Sequence, residues 1–301
     1  MFSPSLRLWG LVAAAALSAA SLSACANNST SEGASGSSSS SASVQKDDKL
    51  AALVPGDIAK RGTLKVGTDP TYAPNEFKDD NDKIVGFDID LFNAVSKKLG
   101  LKAEYTGSIF DNIIPGVQGG SYDVGVSSFT DNAQREQVVD LVTYLSAGTQ
   151  WARAAGGSVT PDKACGHKVA VQTGTVQVDD VTARSKACTA AGNKPIDILQ
   201  FDDQGAASNA VVVGQADAVL ADSPIVAYAV QQSDKKLELV GDVYDAAPYG
   251  YVVAKGSPLG KALQGAVQSL IDDGTYADIL KKWLLEGGAV DTSKINGASG
   301  S

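Results

Sequence analysis

The chain has 301 residues, a length that suffices for two domains. Of these residues 44% are hydrophobic and 20% are charged, and this composition excludes general disorder. Lysine and arginine number 25 against 34 acidic residues, so the net charge is −9 and a nucleic-acid partner is not expected. The single histidine, His167, and the three cysteines exclude a metal site of several imidazoles or four thiolates, and we expect neither a metal nor a cofactor.

Residues 1–24 have the pattern of a secretory signal peptide. Arg7 precedes an apolar run at positions 8–20, which is too short to span a bilayer as a stable helix. The segment ends in Leu22-Ser23-Ala24-Cys25, a tetrapeptide that resembles the bacterial lipobox. This resemblance implies that the chain is cleaved before Cys25, which then carries a lipid such as palmitate. The alternative is an ordinary signal peptide in which a cysteine occurs by chance.

Residues 25–61 are predicted to be the lipidated Cys25 and a flexible tether. Positions 26–45 are almost all serine, glycine, alanine, asparagine and threonine, and such a segment cannot bury enough apolar surface to order itself. A lipid anchor with a tether holds a folded domain outside the membrane but close to it. We therefore expect the protein at the extracellular face of the cell membrane, attached through the lipid.

The other two cysteines, Cys165 and Cys188, form an even pair in a chain that is expected to be exported. Polar or small residues flank both of them, which argues against deep burial. We therefore predict a disulfide between them, and two unrelated buried thiols are the alternative.

Short apolar strands alternate with helical patterns from Leu64 onward, which predicts an α/β protein with largely parallel sheets. Leu91, Val95 and Leu99, for example, recur on one face of a helix. Two α/β units of similar size follow one another and indicate two lobes, while the polar residues 291–301 are predicted to be a disordered tail. Strands are predicted at 64–66, 102–105, 122–126, 169–171, 196–199 and 216–220, and later helices at 176–187, 206–213, 225–231, 263–271 and 276–285.

The stretch from Ser127 to Arg135 follows a predicted strand and opens a helix, with Asp131 and Gln134 spaced as a capping box. Arg135 therefore lies in the first helical turn, where the helix dipole disfavours a cation. Asp131 is available as an internal partner, and Arg135 would then be structural. The alternative is that Arg135 binds a ligand carboxylate, with hydroxyl groups nearby completing the site.

Two further strand-to-helix turns offer ligand-binding groups. At Gln172-Thr173-Gly174-Thr175 the glycine permits close approach of the backbone and the exposed N–H groups suit an anion, although Thr175 is also a sensible N-cap. Farther along, Ser223 and Pro224 supply the N-cap and the first residue of a helix. Asp222 is then free to point into a cleft, unless it is a second capping residue. Together the turns supply the cation, the anion and the hydroxyls that an α-amino-acid zwitterion requires.

Five short motifs occur in a specific order, although none of them is specific alone. They are Gly67–Pro74, Gly86–Leu91, Ser127–Arg135, Thr173–Thr175 and Ala221–Ser223. In this order they resemble the polar-amino-acid-binding proteins of bacterial ABC importers, the extracellular solute-binding proteins of family 3. The resemblance covers roughly residues 62–290.

The resemblance implies a two-lobed clamshell of the type II periplasmic-binding-protein class. Each lobe would have a central, mostly parallel sheet flanked by helices, and two strands would form the hinge. The first lobe would comprise residues 62–150 plus 251–290, and the second lobe residues 153–248. The hinge strands would cross near 149–154 and 249–254.

By the same resemblance, Arg135 holds the α-carboxylate of the ligand with help from Thr130 and Thr175. Asp222 holds the α-ammonium with help from Ser128. These assignments require the arginine and the aspartate to face one another across a single cleft.

Tyr72 and Phe110 would flank the ligand side chain, whereas packing in the core is the alternative for both rings. Asp69 would lie toward the tip of that side chain, and with the acidic net charge it favours a basic ligand such as arginine or lysine over glutamine. Asn75 stands where relatives often have an apolar or aromatic residue. The expected ligand-binding residues are Asp69, Tyr72, Phe110, Ser127, Ser128, Thr130, Arg135, Thr173, Thr175 and Asp222.

These features predict a membrane-anchored, monomeric solute-binding component of an ABC importer, which closes its lobes on a polar L-amino acid and delivers it to the permease. The alternative is a lipid-anchored enzyme on the same scaffold, similar to cyclohexadienyl dehydratase. That chemistry requires a buried general acid, for which the motifs supply only Asp222 and Asp69. His167, the one imidazole, is expected at the surface.

Overall fold

The computed structural model describes residues 44–298. The predicted signal peptide, the predicted lipidation site Cys25, most of the predicted tether and the last three residues lie outside this range. Across positions 44–298 no helix is both long enough and apolar enough to cross a bilayer.

Helices and strands alternate along the described part of the chain. The helices are α1 Asp48–Ala51, α2 Gly56–Arg61, α3 Phe87–Lys98, α4 Ile113–Gln118, α5 Ala133–Glu136, α6 Val176–Ala190, α7 Gln204–Val212, α8 Ser223–Gln232, α9 Leu259–Asp272 and α10 Thr275–Trp283. The strands are β1 Thr63–Thr68, β2 Thr71–Tyr72, β3 Glu76–Lys78, β4 Ile84–Val85, β5 Lys102–Gly107, β6 Val124–Gly125, β7 Val139–Ala154, β8 Lys168–Gln172, β9 Asp197–Phe201, β10 Ala218–Asp222 and β11 Leu237–Ala254. Short 3₁₀ turns occupy Phe110–Asn112, Pro161–Lys163 and Glu286–Gly288.

One sheet runs through the molecule with the strand order β5-β1-β6-β11-β7-β10-β8-β9. At one end β1 pairs in parallel with β5 and β6, and at the other end β8 pairs in parallel with β9 and β10. The long strands β7 and β11 lie between these groups and pair antiparallel with each other. We call the part around β1, β5 and β6 the first lobe, and the part around β8, β9 and β10 the second lobe. The expected α/β clamshell with two connecting strands is confirmed.

Each lobe packs its own helices on its own strands. In the first lobe, the apolar residues of α9 recur every three or four positions between Leu259 and Leu270 and are buried against the core. In the second lobe, Trp151 is fully buried among the strands. The disulfide predicted between Cys165 and Cys188 is confirmed, and it joins the segment before β8 to α6. Separate cores allow the lobes to move as units.

The two predicted hinge segments, 149–154 and 249–254, each pair with a strand of one lobe. The first of these segments pairs with β10 and so belongs to the second lobe, while Val252 pairs with β6 of the first lobe. Instead, the pairing of β7 with β11 is irregular between Val240 and Gly250. Bulges bend a strand, and Pro248 has no N–H to donate to the ladder. This irregular segment is therefore where the connecting strands can bend.

Residues 44–61 are not a flexible tether, contrary to the prediction. They contain α1 and α2, and Asp47 caps α1 by accepting hydrogen bonds from two backbone N–H groups. Val54 and Ile58 are buried against the first lobe, and Leu50 packs beside them. These three apolar residues are four positions apart, which is the helical pattern that the low-complexity composition before them obscured.

The predicted disordered tail, 291–301, is also wrong over its described part. Ser293 is buried and its Oγ donates to the carbonyl of Thr143 at 2.7 Å. The Asn296 Oδ1 accepts a hydrogen bond from the Leu141 N–H at 3.0 Å. The tail packs along β7 because it satisfies backbone groups of that strand, an effect that composition does not reveal.

Candidate functional site

Polar side chains gather where the parallel strands of both lobes end. This is the edge at which α/β sheets bind ligands. The Gln172 side chain of the second lobe donates to the Asp69 carboxylate of the first lobe at 2.6 Å, so the two edges meet. Asp69 follows β1, Ser127 and Ser128 follow β6, Gln172 ends β8 and Asp222 ends β10.

The Arg135 side chain lies between the lobes. It starts from the short helix α5, whose N-cap Asn132 accepts a hydrogen bond from the Arg135 N–H at 2.8 Å. Its Nη1 donates to the carbonyl of Thr130 at 2.7 Å, and its Nη2 donates to the carbonyl of Gly174 in the second lobe at 3.2 Å. These bonds orient the guanidinium and use two of its five N–H groups. The group therefore retains donors for a further partner.

Two stacked aromatic rings support this guanidinium. The centroids of Phe110 and Phe129 are 4.5 Å apart, and Arg135 Cζ lies 5.5 Å and 5.4 Å from them. The ring faces attract the cation. Burial lowers the pKa of Arg135 to about 10, while the negative charge of Asp222 opposes that shift. The guanidinium is therefore charged at neutral pH.

The structural alternative for Arg135, an ion pair with Asp131, is not formed in the described part of the chain. The Asp131 carboxylate instead accepts a hydrogen bond from the backbone N–H of Gly297 at 2.6 Å. The predicted capping box is also wrong, because Asn132 caps α5. The charge of Arg135 is thus not balanced by an ion pair with Asp131.

Asp222 is 5% exposed at the end of β10. Its carboxylate accepts hydrogen bonds from the Tyr72 hydroxyl of the first lobe and from Gln177 Nε2, both at 2.8 Å. Asp222, and not the predicted Ser223, is the N-cap residue of α8, but its side chain makes no cap hydrogen bond to the described helix and so is available to the cleft. Burial raises the pKa of Asp222, and the hydrogen bonds from Tyr72 and Gln177 and the charge of Arg135 oppose the shift. The carboxylate is held ready to accept hydrogen bonds in the cleft.

Two buried acids, Glu76 and Asp88, accept hydrogen bonds from Ser127 and Ser128. The Ser127 Oγ donates to Glu76 Oε1 at 2.9 Å and accepts from the Asp69 N–H at 3.0 Å. Ser128 has a φ of 49°, a left-handed conformation that is costly for a residue with a side chain. Its N–H donates to Asp88 Oδ2 at 2.9 Å, and this bond helps to hold that conformation.

Glu76 and Asp88 are fully buried and hydrogen-bonded to the same loop. The Tyr144 hydroxyl also donates to Asp88 at 2.6 Å. Burial and the neighbouring charge of Asp88 raise the pKa of Glu76 well above its usual range. Sequence analysis missed this pair, because the two acids come together only after β3, β4 and α3 have packed.

The side chains of both lobes enclose a cavity of about 10 Å³, which is about the space that a single water requires. Arg135 and Asp222 both line it, so the cation and the anion predicted from the sequence face the same space. The lobes must separate before a larger molecule can enter. The lining residues are Tyr72, Phe110, Ser128, Thr130, Arg135, Thr175, Val176, Gln177 and Asp222.

Seven of the ten expected ligand-binding residues line this cavity, and Asp69, Ser127 and Thr173 do not. Asp69 is buried nearby against Gln172, and Ser127 supports the loop through its bond to Glu76. The backbone N–H of Thr173 donates to the carbonyl of Phe201, the last residue of the neighbouring strand β9, at 2.8 Å. Thr173 is therefore part of the sheet edge and not of the cavity wall.

Three residues of this region were not among the expected ligand-binding residues. Val176 and Gln177 line the cavity from the first turn of α6, directly after the turn that ends at Thr175. Their position in the first turn of a helix was the sequence feature that could have identified them. For Gln172 that feature was its place as a polar residue at the end of the apolar run Val169–Val171, where a buried parallel strand reaches its carboxyl edge.

Comparison with known proteins agrees with this architecture. Residues 64–286 match the family of bacterial extracellular solute-binding proteins, family 3. An arginine-binding protein, ArgT, of Corynebacterium glutamicum is 41% identical over 251 residues, which are 82% of this chain and 83% of that protein. A lysine/arginine/ornithine-binding periplasmic protein of Escherichia coli is 30% identical over 73% of this chain and 87% of its own length.

Among solved structures, an ancestral arginine-binding protein bound to arginine superposes with a TM-score of 0.68. It is 36% identical in sequence, and the match covers 74% of this chain and 98% of that one. The family match spans well over half of the chain, and the fold and strand-end geometry agree with it. The chain therefore belongs to the bacterial extracellular solute-binding proteins of family 3.

Proposed function

We propose that this protein is the solute-binding component of an ABC importer and that its ligand is a basic L-amino acid, arginine foremost. The observation that carries the proposal is the placement of Arg135 and Asp222, from opposite lobes, on one cavity. An amino acid carries one charge of each sign on its backbone, and an unpaired charge in a buried site costs several kcal/mol. The two groups supply one counter-charge for each end.

The α-carboxylate binds the remaining N–H groups of Arg135, whose planar fork suits a carboxylate. The hydroxyl groups of Thr130 and Thr175 complete this end of the site. The α-ammonium binds Asp222 beside Ser128. The Tyr72 hydroxyl donates to Asp222 at 2.8 Å, and the ammonium adds a charged interaction at the same carboxylate.

The ligand side chain extends toward Asp69, a buried carboxylate near the lobe interface. Its negative charge favours a cationic side chain over a neutral one. The identity of the relatives, one arginine-binding and one lysine/arginine/ornithine-binding by name, supports the same class of ligand. Arginine is the first choice because the more similar of the two relatives carries its name.

Transport follows from hinge closure. The ligand docks on one lobe, the other lobe closes through the irregular part of β7 and β11, and the closed form is presented to the permease. We propose that the protein acts as a monomer held at the extracellular face of the membrane by a lipid on Cys25. The dehydratase alternative has less support, because the relatives named above are binding proteins.

A thermal-shift screen of the twenty amino acids, followed by calorimetry, tests this proposal. A ligand that binds only the folded protein stabilises it by about 2.7 kcal/mol at a concentration of 100 Kd. We expect arginine to raise the melting temperature most, lysine less and glutamate not at all. If none of the twenty stabilises the protein, or if only acidic amino acids do, the proposal is wrong.

The affinity for arginine is expected to depend on pH through Asp69. Burial raises the pKa of this carboxyl group to about 6. Below pH 6 the group is protonated and offers no charge to a guanidinium, so the affinity should rise between pH 5 and pH 7 and level off above. A change in the protonation of Asp222 affects the affinity for every amino acid ligand. The difference in pH dependence between arginine and a neutral amino acid therefore isolates the contribution of Asp69.

Calorimetry at pH 5, 6, 7 and 8 measures this dependence in the wild type and in Asp69→Asn. The variant should bind arginine more weakly at pH 7, with the same small pH dependence for arginine as for a neutral ligand. An unaltered pH profile in the variant would place the titrating group elsewhere.

A further inference from the structure

Gln172 is a buried polar residue, 1% exposed, at the lobe interface. Both N–H groups of its amide are used: Nε2 donates to Asp69 Oδ2 at 2.6 Å and to the carbonyl of Asp202 at 3.0 Å. Its carbonyl oxygen, Oε1, is buried and has no hydrogen-bond partner among residues 44–298. Buried polar groups are nearly always paired, so this acceptor is available to a donor that the described chain does not supply.

The position of the amide shows where that donor would lie. Nε2 and Oε1 are bonded to the same carbon, and Nε2 touches the Asp69 carboxylate. Oε1 is therefore a second acceptor in the immediate neighbourhood of Asp69. Asp203, the N-cap of α7, also acts on Asp69 with its negative charge. The surroundings of Oε1 are thus suited to a cationic donor.

We propose that Gln172 is a specificity-determining residue, whose Oε1 accepts a hydrogen bond from the side-chain guanidinium of bound arginine and so favours arginine over lysine. This inference rests on the proposed function and adds a partner for the ligand side chain. A guanidinium presents donors on three nitrogens in one plane, so it can bind a carboxylate and a neighbouring amide oxygen together. The ammonium of lysine is a compact, strongly hydrated point charge, and moving it from water to these acceptors is less favourable.

A purely structural role is the competing explanation. The bond between Gln172 and Asp69 joins the two lobes, and its loss would make closure less favourable. That effect is the same for every ligand, because it acts on the lobes and not on the ligand side chain. Discrimination between ligands therefore separates the two roles.

The experiment measures Kd by calorimetry for arginine, lysine and glutamine in the wild type and in Gln172→Leu. A hydrogen bond to a charged group corresponds to roughly a 10- to 100-fold change in affinity. We expect the variant to bind arginine about 10-fold or more weakly and lysine less than about 3-fold more weakly. Gln200→Leu is the matched control, because Gln200 is exposed on the neighbouring strand β9, and it should bind all three ligands like the wild type.

Gln172→Met, which keeps an unbranched side chain, replaces the leucine variant if that variant does not fold. Equal weakening for arginine and lysine would overturn the inference and leave the proposed function intact. A wild-type protein that binds arginine no more tightly than lysine would also overturn the inference. A wild type that binds no basic amino acid would instead overturn the proposed function, and with it this inference.

Discussion

Arg135→Ala is expected to weaken the binding of arginine by roughly 30- to 5,000-fold, since removing one partner of a buried charge pair costs about 2–5 kcal/mol. The ligand carboxylate would lose its only cationic partner among the residues that line the described cavity. The fold should persist, because Arg135 is bonded to backbone carbonyls at the edge of the lobes and not within either core. Calorimetry measures the loss, and circular dichroism checks the fold.

Two controls make this result specific to the carboxylate. Arg61→Ala removes an arginine that pairs with Asp123 outside the cleft, and it should bind like the wild type. The decarboxylated analogue of arginine has no carboxylate to lose, so its weak affinity should be nearly the same in the wild type and in Arg135→Ala. Undiminished arginine binding by the variant would show that Arg135 does not hold the ligand.

Asp222→Asn is expected to weaken arginine binding at least 100-fold, because the ligand ammonium would be buried without a counter-charge. The substitution keeps the shape of the side chain, so the ligand-free protein should melt near the wild-type temperature. A neutral amide is easier to bury than a carboxylate, and this offsets weaker hydrogen bonds from Tyr72 and Gln177. Calorimetry and thermal unfolding measure the two effects.

The desamino analogue of arginine identifies the group on which Asp222 acts. This analogue lacks the α-ammonium, so the substitution should change its affinity much less than that of arginine. Asp162→Asn is the control, since Asp162 is exposed and lies outside the cavity. An equal loss for arginine and its desamino analogue would contradict the assignment of Asp222 to the ammonium.

The main charged groups of the site could be predicted from local patterns. Asp222 ends β10 and Arg135 lies in α5, the short helix that follows β6, so alternation of strands and helices suffices to bring them to a ligand-binding edge. Whether either residue was structural could not be decided in this way. Only the folded chain shows that Asp131 turns to the Gly297 N–H and that the side chain of Asp222 makes no cap hydrogen bond to the described helix α8.

The residues that were missed depend on contacts between distant segments. Gln172 and Asp69 are 103 positions apart, and their hydrogen bond exists because the two lobes meet. Glu76 and Asp88 form hydrogen bonds with Ser128 only when β3, β4 and α3 have packed beside it. No local periodicity encodes such pairs, since their geometry is set by the packing of whole elements.

By itself the sequence determined the class of fold, the order of the strands and helices, the paired cysteines and the opposite charges at the strand ends, because each depends on short-range patterning or on composition. Tertiary structure decided where the connecting strands bend, that residues 44–61 and 291–298 pack on the first lobe and on β7, and which polar groups are satisfied. Burial and hydrogen-bond pairing are properties of the assembled lobes, so they emerge only when segments remote in sequence come into contact.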